Sequence, residues 1–148
     1  MAHIIHSDYK TDWETPQSLF DGLDKNFHFT LDAAASASNA KCRQYIDKET
    51  NALAVPWSGR VWLNPPYGKG IDRWVKKCVD EMDNTDLIVA LLPCATDTSW
   101  FHEWVLPYAD IVFIRGRVQF GLPGHKRRGG NPGPNMLAVY PKQQSRSC

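Results

Sequence analysis

Hydrophobic residues recur along this chain with two different periods. Leu19, Phe20, Leu23 and Phe27 fall three and four apart, the spacing of one helical face, and Thr15 and Pro16 supply an N-cap and a first helical residue ahead of them. Ile71, Trp74, Val75, Cys78, Val79 and Met82 repeat that period more strongly and predict the clearest helix of the chain. Other apolar runs have the length of strands: "HFTLDAAA" (28–35), which ends at an acid, and "RVWLN" (60–64). "DLIVALLP" (86–93) is apolar at nearly every position and predicts a central strand covered on both faces. "DIVFIRGRVQF" predicts a strand that leaves the core at its charged end, and "MLAVYP" a last strand.

"SNAKCRQYI" reads as a further helix, as does the segment through Trp100, Phe101, Trp104 and Val105, capped by Asp97 or Thr98 and ended by Pro107. The first ten residues look frayed, the stretch from Asp47 to Pro56 shows no period, and 121–135 is a loop rich in glycine and proline. Trp62, Trp74, Trp100 and Trp104 are expected to pack in the core or between helices. Strands alternating with helices predict an α/β fold, a mostly parallel sheet with helices on both faces. Such sheets bind ligands at the carboxyl ends of their strands. Asp32, Asn64 and Pro93 each follow an expected strand, so the unusual residues converge on one crevice.

The length of 148 residues predicts one domain with one small site. The apolar fraction of 43% and charged fraction of 22% are those of soluble globular chains, and no apolar run is long enough to span a membrane. With no signal-like start, a cytoplasmic protein is expected. Cys42, Cys78, Cys94 and Cys148 lie far apart without a CxxC pair, which argues against a zinc ribbon and a disulfide scaffold, and no metal is expected. A net charge of +1 leaves the partner open, although His125, Lys126, Arg127 and Arg128 form a basic run.

The most informative stretch is "VWLNPPYGKG" (61–70), an apolar run stopped by an amide, two prolines and an aromatic ring. An amine on an aromatic ring is a poor nucleophile because its lone pair is delocalised. Two acceptors that hold its N–H groups favour a pyramidal nitrogen aimed at an electrophile. Asn64 offers a side-chain carbonyl and Pro65 a backbone one. Pro65 and Pro66 fix the backbone, Tyr67 offers a flat face for a base, and Gly68 and Gly70 allow close approach.

This quartet resembles the catalytic motif of S-adenosylmethionine-dependent amino methyltransferases. The wider pattern, "DWETPQSLFDGLDKNFHFTLDAAAS", "NAKC", "VWLNPPYG", "LLPCATDTSWFH" and "RGRVQFG", is similar to the phage-type DNA N6-adenine methyltransferase (Dam-like) family over nearly the whole chain. The resemblance implies a reduced Rossmann-like class I fold, S-adenosylmethionine as cofactor and DNA as partner. It implies that Asn64, Pro65, Pro66 and Tyr67 bind and activate the target amine. Thr15 and Pro16 resemble the motif that holds the methionine part of the cofactor, and Asp32, Ala33 and Ala34 resemble the first cofactor motif. Asp47 or Glu49 is the acid available for the ribose, and Asn51 for the cofactor adenine. Broader methyltransferases carry glycines where this chain has Ala33, Ala34 and Ala35. The segment between Asp32 and Asn64 is short enough to reduce the usual second and third strands, and no separate target-recognition domain is evident.

Arg115, Arg117, Lys126, Arg127 and Arg128 suit phosphate contacts beside the crevice, or an ordinary solvated loop. Asp32 alone would serve as a helix cap, Tyr67 alone as a buried aromatic, and Asp97 and His102 receive no catalytic role. Methylation of a protein glutamine amide, which also uses NPPY, and a catalytically silent DNA-binding relative are the rival functions.

Overall fold

The computed structural model describes residues 14–121 and 133–143. Its first helix, α1 (Gln17–Phe27), starts at Pro16 with φ −58°, and no side chain caps it. Thr15 is therefore not the cap its position suggested; it is buried, at 5% exposure. The helix stops where His28 takes a left-handed φ of 52° and donates its N–H to the Asp24 carbonyl at 2.9 Å. The Asp24 carboxylate accepts the next N–H, from Phe29, at 2.8 Å.

Strand β1 is Leu31–Asp32 and β2 is Gln44–Tyr45, paired in parallel as Leu31↔Gln44 and Asp32↔Tyr45. The helix expected over "SNAKCRQYI" is absent. Ser36, Ser38 and Asn39 hold this stretch in turns instead, because short polar side chains compete for the backbone: Asn39 accepts the Ser36 N–H at 2.7 Å, and the Ser36 and Ser38 hydroxyls meet at 3.0 Å. Strand β3 (Gly59–Leu63) lies on the other side of β1, followed by α2 (Ile71–Asp80) and β4 (Thr85–Pro93). The helix expected through Trp100 to Val105 forms, with Ser99 and Trp100 α-helical and Phe101–Val105 wound as a π-helical turn. Thr98 begins it, accepting the Phe101 N–H at 3.3 Å while donating to the Ala95 carbonyl at 2.7 Å.

Strands β5 (Asp110–Phe113) and β6 (Asn135–Pro141) complete a sheet of order β2-β1-β3-β4-β6-β5. Strands β2, β1, β3 and β4 are parallel, while β6 runs antiparallel to both β4 and β5. The strand expected to continue to Phe120 ends at Phe113, because Val118 and Phe120 fold back under the sheet.

Both faces of the sheet are covered, which explains the uniform apolarity of β4. Ile88, Ala90 and Leu92 point to one side, with Val61 and Leu63, against Val75 and Cys78 of α2 and Phe101 and Val105 of the π-helical turn. Leu87, Val89 and Leu91 point to the other, with Trp62, against Phe20 of α1, Val118 and Phe120. The two-residue period of a strand divides one apolar run between two clusters.

One glycine is required by space as well as by φ. Gly59 has φ 75°, and a Cβ there would lie 2.5 Å from the Thr30 hydroxyl, which accepts the Arg60 N–H at 3.0 Å. Gly59→Ala is expected to destabilise the protein by about 2 kcal/mol, from left-handed strain plus disturbance of that bond. Urea unfolding would measure it; an unchanged midpoint would remove the proposed clash.

Candidate functional site

The chain leaves β1 toward β2 on one side and returns through β3 on the other, so the carboxyl ends of β1 and β3 flank a switch in strand order. A cavity of about 610 Å³ opens there, within the range of small-molecule sites. Of the residues singled out by the sequence, Thr15, Asp32, Ala33, Ala34, Asp47, Glu49, Asn51, Asn64 and Pro66 line it. Pro16, Pro65, Tyr67, Arg115 and Arg117 do not. Lys126, Arg127 and Arg128 lie outside the described residues.

Asp32 ends β1 and is 3% exposed. Its carboxylate accepts the Lys41 N–H at 3.0 Å and the Ala34 N–H at 3.3 Å, so it ties down both ends of the turn that forms one cavity wall. It caps no helix. Burial pushes its pKa up to about 6, against the opposing pull of the two amides and the Lys41 charge.

Asp47 lies just beyond β2. The Thr50 N–H, donated to its carboxylate at 2.8 Å, holds it below the usual carboxylate range. Asn51 takes a left-handed φ of 61°, a conformation asparagine tolerates better than most residues, and its side-chain oxygen accepts the Leu53 N–H at 3.2 Å. Behind this wall the buried Trp57 donates its indole N–H to the Ala52 carbonyl at 3.1 Å. Its backbone N–H donates to Glu81 at 3.3 Å, and the Lys77 ammonium lies 5.7 Å from its ring centre. The segment with no readable period is thus fixed by one tryptophan.

Asn64 follows β3 directly and is half-buried at the cavity wall, two positions beyond Trp62, the register partner of Asp32. Pro65 is buried behind it and Pro66 lines the cavity. Tyr67 is partly exposed just beyond the cavity lining, its ring edge-on to Phe120 with centres 5.8 Å apart. Its hydroxyl donates to the Leu91 carbonyl at 2.9 Å and accepts from the Asn135 side chain at 2.9 Å. Burial raises the phenol well above its usual range, so the ring is neutral.

Arg115 and Arg117 are exposed beyond β5. Further along, Gly121 exchanges two backbone hydrogen bonds with Glu14, at 2.8 and 3.0 Å. Glu14 lines the cavity, so Gly121 stands at the cavity's edge. Sequence reasoning missed Glu14, Asn39, Lys41, Tyr45 and Trp74 as lining residues. Lys41 and Tyr45 were hidden by the mistaken helix, and Trp74 by its place in a helical period. Among the described residues no cluster of His, Cys, Asp or Glu is placed to hold a metal, and no helix is long and apolar enough to cross a membrane.

The chain is thus a mixed α/β protein in which a buried acid and an amide line one cavity at the strand ends. The family model for DNA N-6-adenine-methyltransferase (Dam) matches residues 4–147, and the chain belongs to that family. It is 35% identical over 117 residues to a DNA N-6-adenine-methyltransferase of Escherichia phage T1, covering 77% of this chain and 49% of the phage protein. It is 31% identical over 134 residues to a DNA N-6-adenine-methyltransferase of Haemophilus phage HP1, covering 86% of this chain and 77% of that protein. The chain thus spans about half the length of the phage T1 relative.

Proposed function

We propose that the chain transfers a methyl group from S-adenosylmethionine to N6 of adenine in DNA, on a compact Rossmann-like class I methyltransferase fold. The observation that carries this reading is that Asn64, at the start of NPPY, lines the same cavity as Asp32 and Asp47. Family membership and the names of the two phage relatives support the choice of acceptor.

The cavity suits the cofactor by size and by chemistry. Asp32 and Asp47 present carboxylates to a cationic ligand that carries a ribose diol, and Ala33 and Ala34 keep the wall low where that ligand passes. Thr15 and Asn51 complete the cofactor side, with Asp47 preferred over Glu49 for the ribose because its carboxylate is already oriented by Thr50. The bound cofactor supplies an electrophilic methyl group on a sulfonium.

On the acceptor side, the Asn64 side-chain oxygen and the Pro65 carbonyl take the two N–H groups of the amine and turn its lone pair toward the methyl. Both acceptors are neutral, so no base acts before transfer. With the cofactor bound, the C–N bond would form as the S–CH3 bond breaks to leave a neutral thioether, and the cationic amine would then release its proton to water. An adenine within a duplex must leave the stack to reach Asn64, and Tyr67 offers a ring to receive it. Arg115 and Arg117, exposed beyond β5, supply phosphate contacts, and the sequence run Lys126, Arg127 and Arg128 has the charge to add to them. The chain acts as one catalytic domain in which loops select the DNA site, in the cytoplasm of a phage-infected or lysogenic bacterium.

The test is to incubate the protein with DNA and S-adenosylmethionine, digest the product to nucleosides, and identify the modified one by mass. N6-methyldeoxyadenosine is expected. Label found instead on glutamine in a protein substrate would assign the amide chemistry, and cofactor binding without any product would assign a silent relative.

A further inference from the structure

Asn135 stands out because the strand around it has no use for an amide. Its neighbours along β6 are Met136, Leu137 and Ala138, all buried and apolar, yet Asn135 is 0% exposed. A buried amide costs free energy unless it is hydrogen-bonded, whereas a leucine of similar size would make no such demand. The bonds it makes lead to the NPPY loop. Asn135 lies opposite Pro93 at the end of the antiparallel pair β4/β6, and its Nδ2 donates to the Tyr67 hydroxyl at 2.9 Å while lying 3.4 Å from the Leu92 carbonyl. Its own backbone carbonyl accepts the Ile114 N–H at 3.1 Å, which anchors it to the chain leaving β5.

The Tyr67 hydroxyl is therefore engaged in both roles, as donor to Leu91 and acceptor from Asn135. The ring's edge is set by Phe120, at an interplanar angle of 77°. With hydroxyl and edge both held, the plane of Tyr67 is fixed before any substrate arrives.

We propose that Asn135 is a positioning residue of the methyl-acceptor site, its amide fixing the Tyr67 ring against which the target adenine stacks, so that the amine meets Asn64 in reactive alignment. This rests on the function proposed above. Asn135 does not line the cavity and acts on the site through Tyr67. Misalignment at the reacting centre lowers turnover more than it lowers binding.

A double-mutant cycle with Asn135→Leu and Tyr67→Phe tests it, read as kcat and KM for an adenine-containing duplex and as cofactor affinity by calorimetry. Asn135→Leu should lose about tenfold in kcat, the cost of its hydrogen bond to Tyr67, and Tyr67→Phe at least as much because it also gives up the bond to the Leu91 carbonyl, with cofactor affinity unchanged in both. The double variant should lose no more than Tyr67→Phe alone. A duplex with 2-aminopurine at the target position should show altered fluorescence in both variants, since its emission reports stacking of the extruded base. Multiplying losses in the double variant, or full kcat in Tyr67→Phe, would overturn the proposal. Tyr67→Phe removes only a hydroxyl, so it serves even where Asn135→Leu folds poorly. A wild-type protein that methylates no adenine would fail the underlying function instead, and would be recognised in the unmutated control.

Discussion

Asn64→Ala should lower methyl transfer by about 100- to 1,000-fold or more while cofactor affinity changes little. That magnitude follows from the loss of one preorganised group that acts on charge developing at the transition state. Asn64 lines the cavity wall at the end of β3, whereas the acids suited to the cofactor stand at the ends of β1 and β2, so truncation empties the acceptor side alone. The variant should fold as well as the parent, because Asn64 is only half-buried and Pro65 and Pro66 still hold the loop. Single-turnover transfer of tritiated methyl to DNA, beside calorimetry with S-adenosylmethionine, separates the two effects. Full activity in the variant would remove Asn64 from the chemistry; loss of cofactor binding would place it on the wrong side of the cavity.

Elements whose packing is written in a period were legible in the sequence. The helix Ile71–Asp80 and the strand Thr85–Pro93 follow directly from apolar residues at helical spacing and from an unbroken apolar run. What the pattern does not encode is direction. β6 has the same apolar character as β4, and only the chain's path decides that it runs antiparallel. Short polar segments also resist reading. The turns around Ser36 and Asn39 are set by side-chain bonds to the backbone, including one from Lys41 to an acid nine residues earlier. A helical period imagined across that stretch hid the place of Lys41 and Tyr45 in the cavity wall.

The site was legible to the extent that it sits at strand ends. Asp32 and Asn64 were marked by polar residues that stop apolar runs, and the fold brings both to one cavity. Asn135 was not marked, since an amide at the start of an apolar strand reads as a turn residue. Its meaning appears only when Tyr67 is found 68 positions away in sequence and 2.9 Å away in space. Nor could sequence alone separate the two tasks of Asp32, the cavity wall and the turn, because Ala34 and Lys41 reach it through backbone N–H groups that any residue would carry.

Those two tasks make the pH dependence of Asp32 informative. Its pKa rises from 3.8 to about 6 on folding, chiefly through burial, so the folded protein holds this proton more tightly than the unfolded chain. The stabilisation it gives is complete below about pH 4 and is lost as pH rises through about 6. Its upper bound is about 3 kcal/mol, since each tenfold gain in proton affinity is worth about 1.4 kcal/mol. A cationic cofactor beside the carboxylate reverses the preference. It favours the ionised form, so binding expels the proton, and affinity should be about tenfold weaker at about pH 5 than at about pH 7. Asp32→Asn removes the titration. Its cofactor affinity at neutral pH should fall about 10- to 100-fold, the range for a lost charged hydrogen bond, and the difference between about pH 5 and about pH 7 should vanish. Isothermal titration in two buffers of different ionisation enthalpy would detect the released proton in the parent and its absence in the variant. An Asn variant that kept the parent's pH profile would assign the titration to another group, leaving Asp32 with the turn alone.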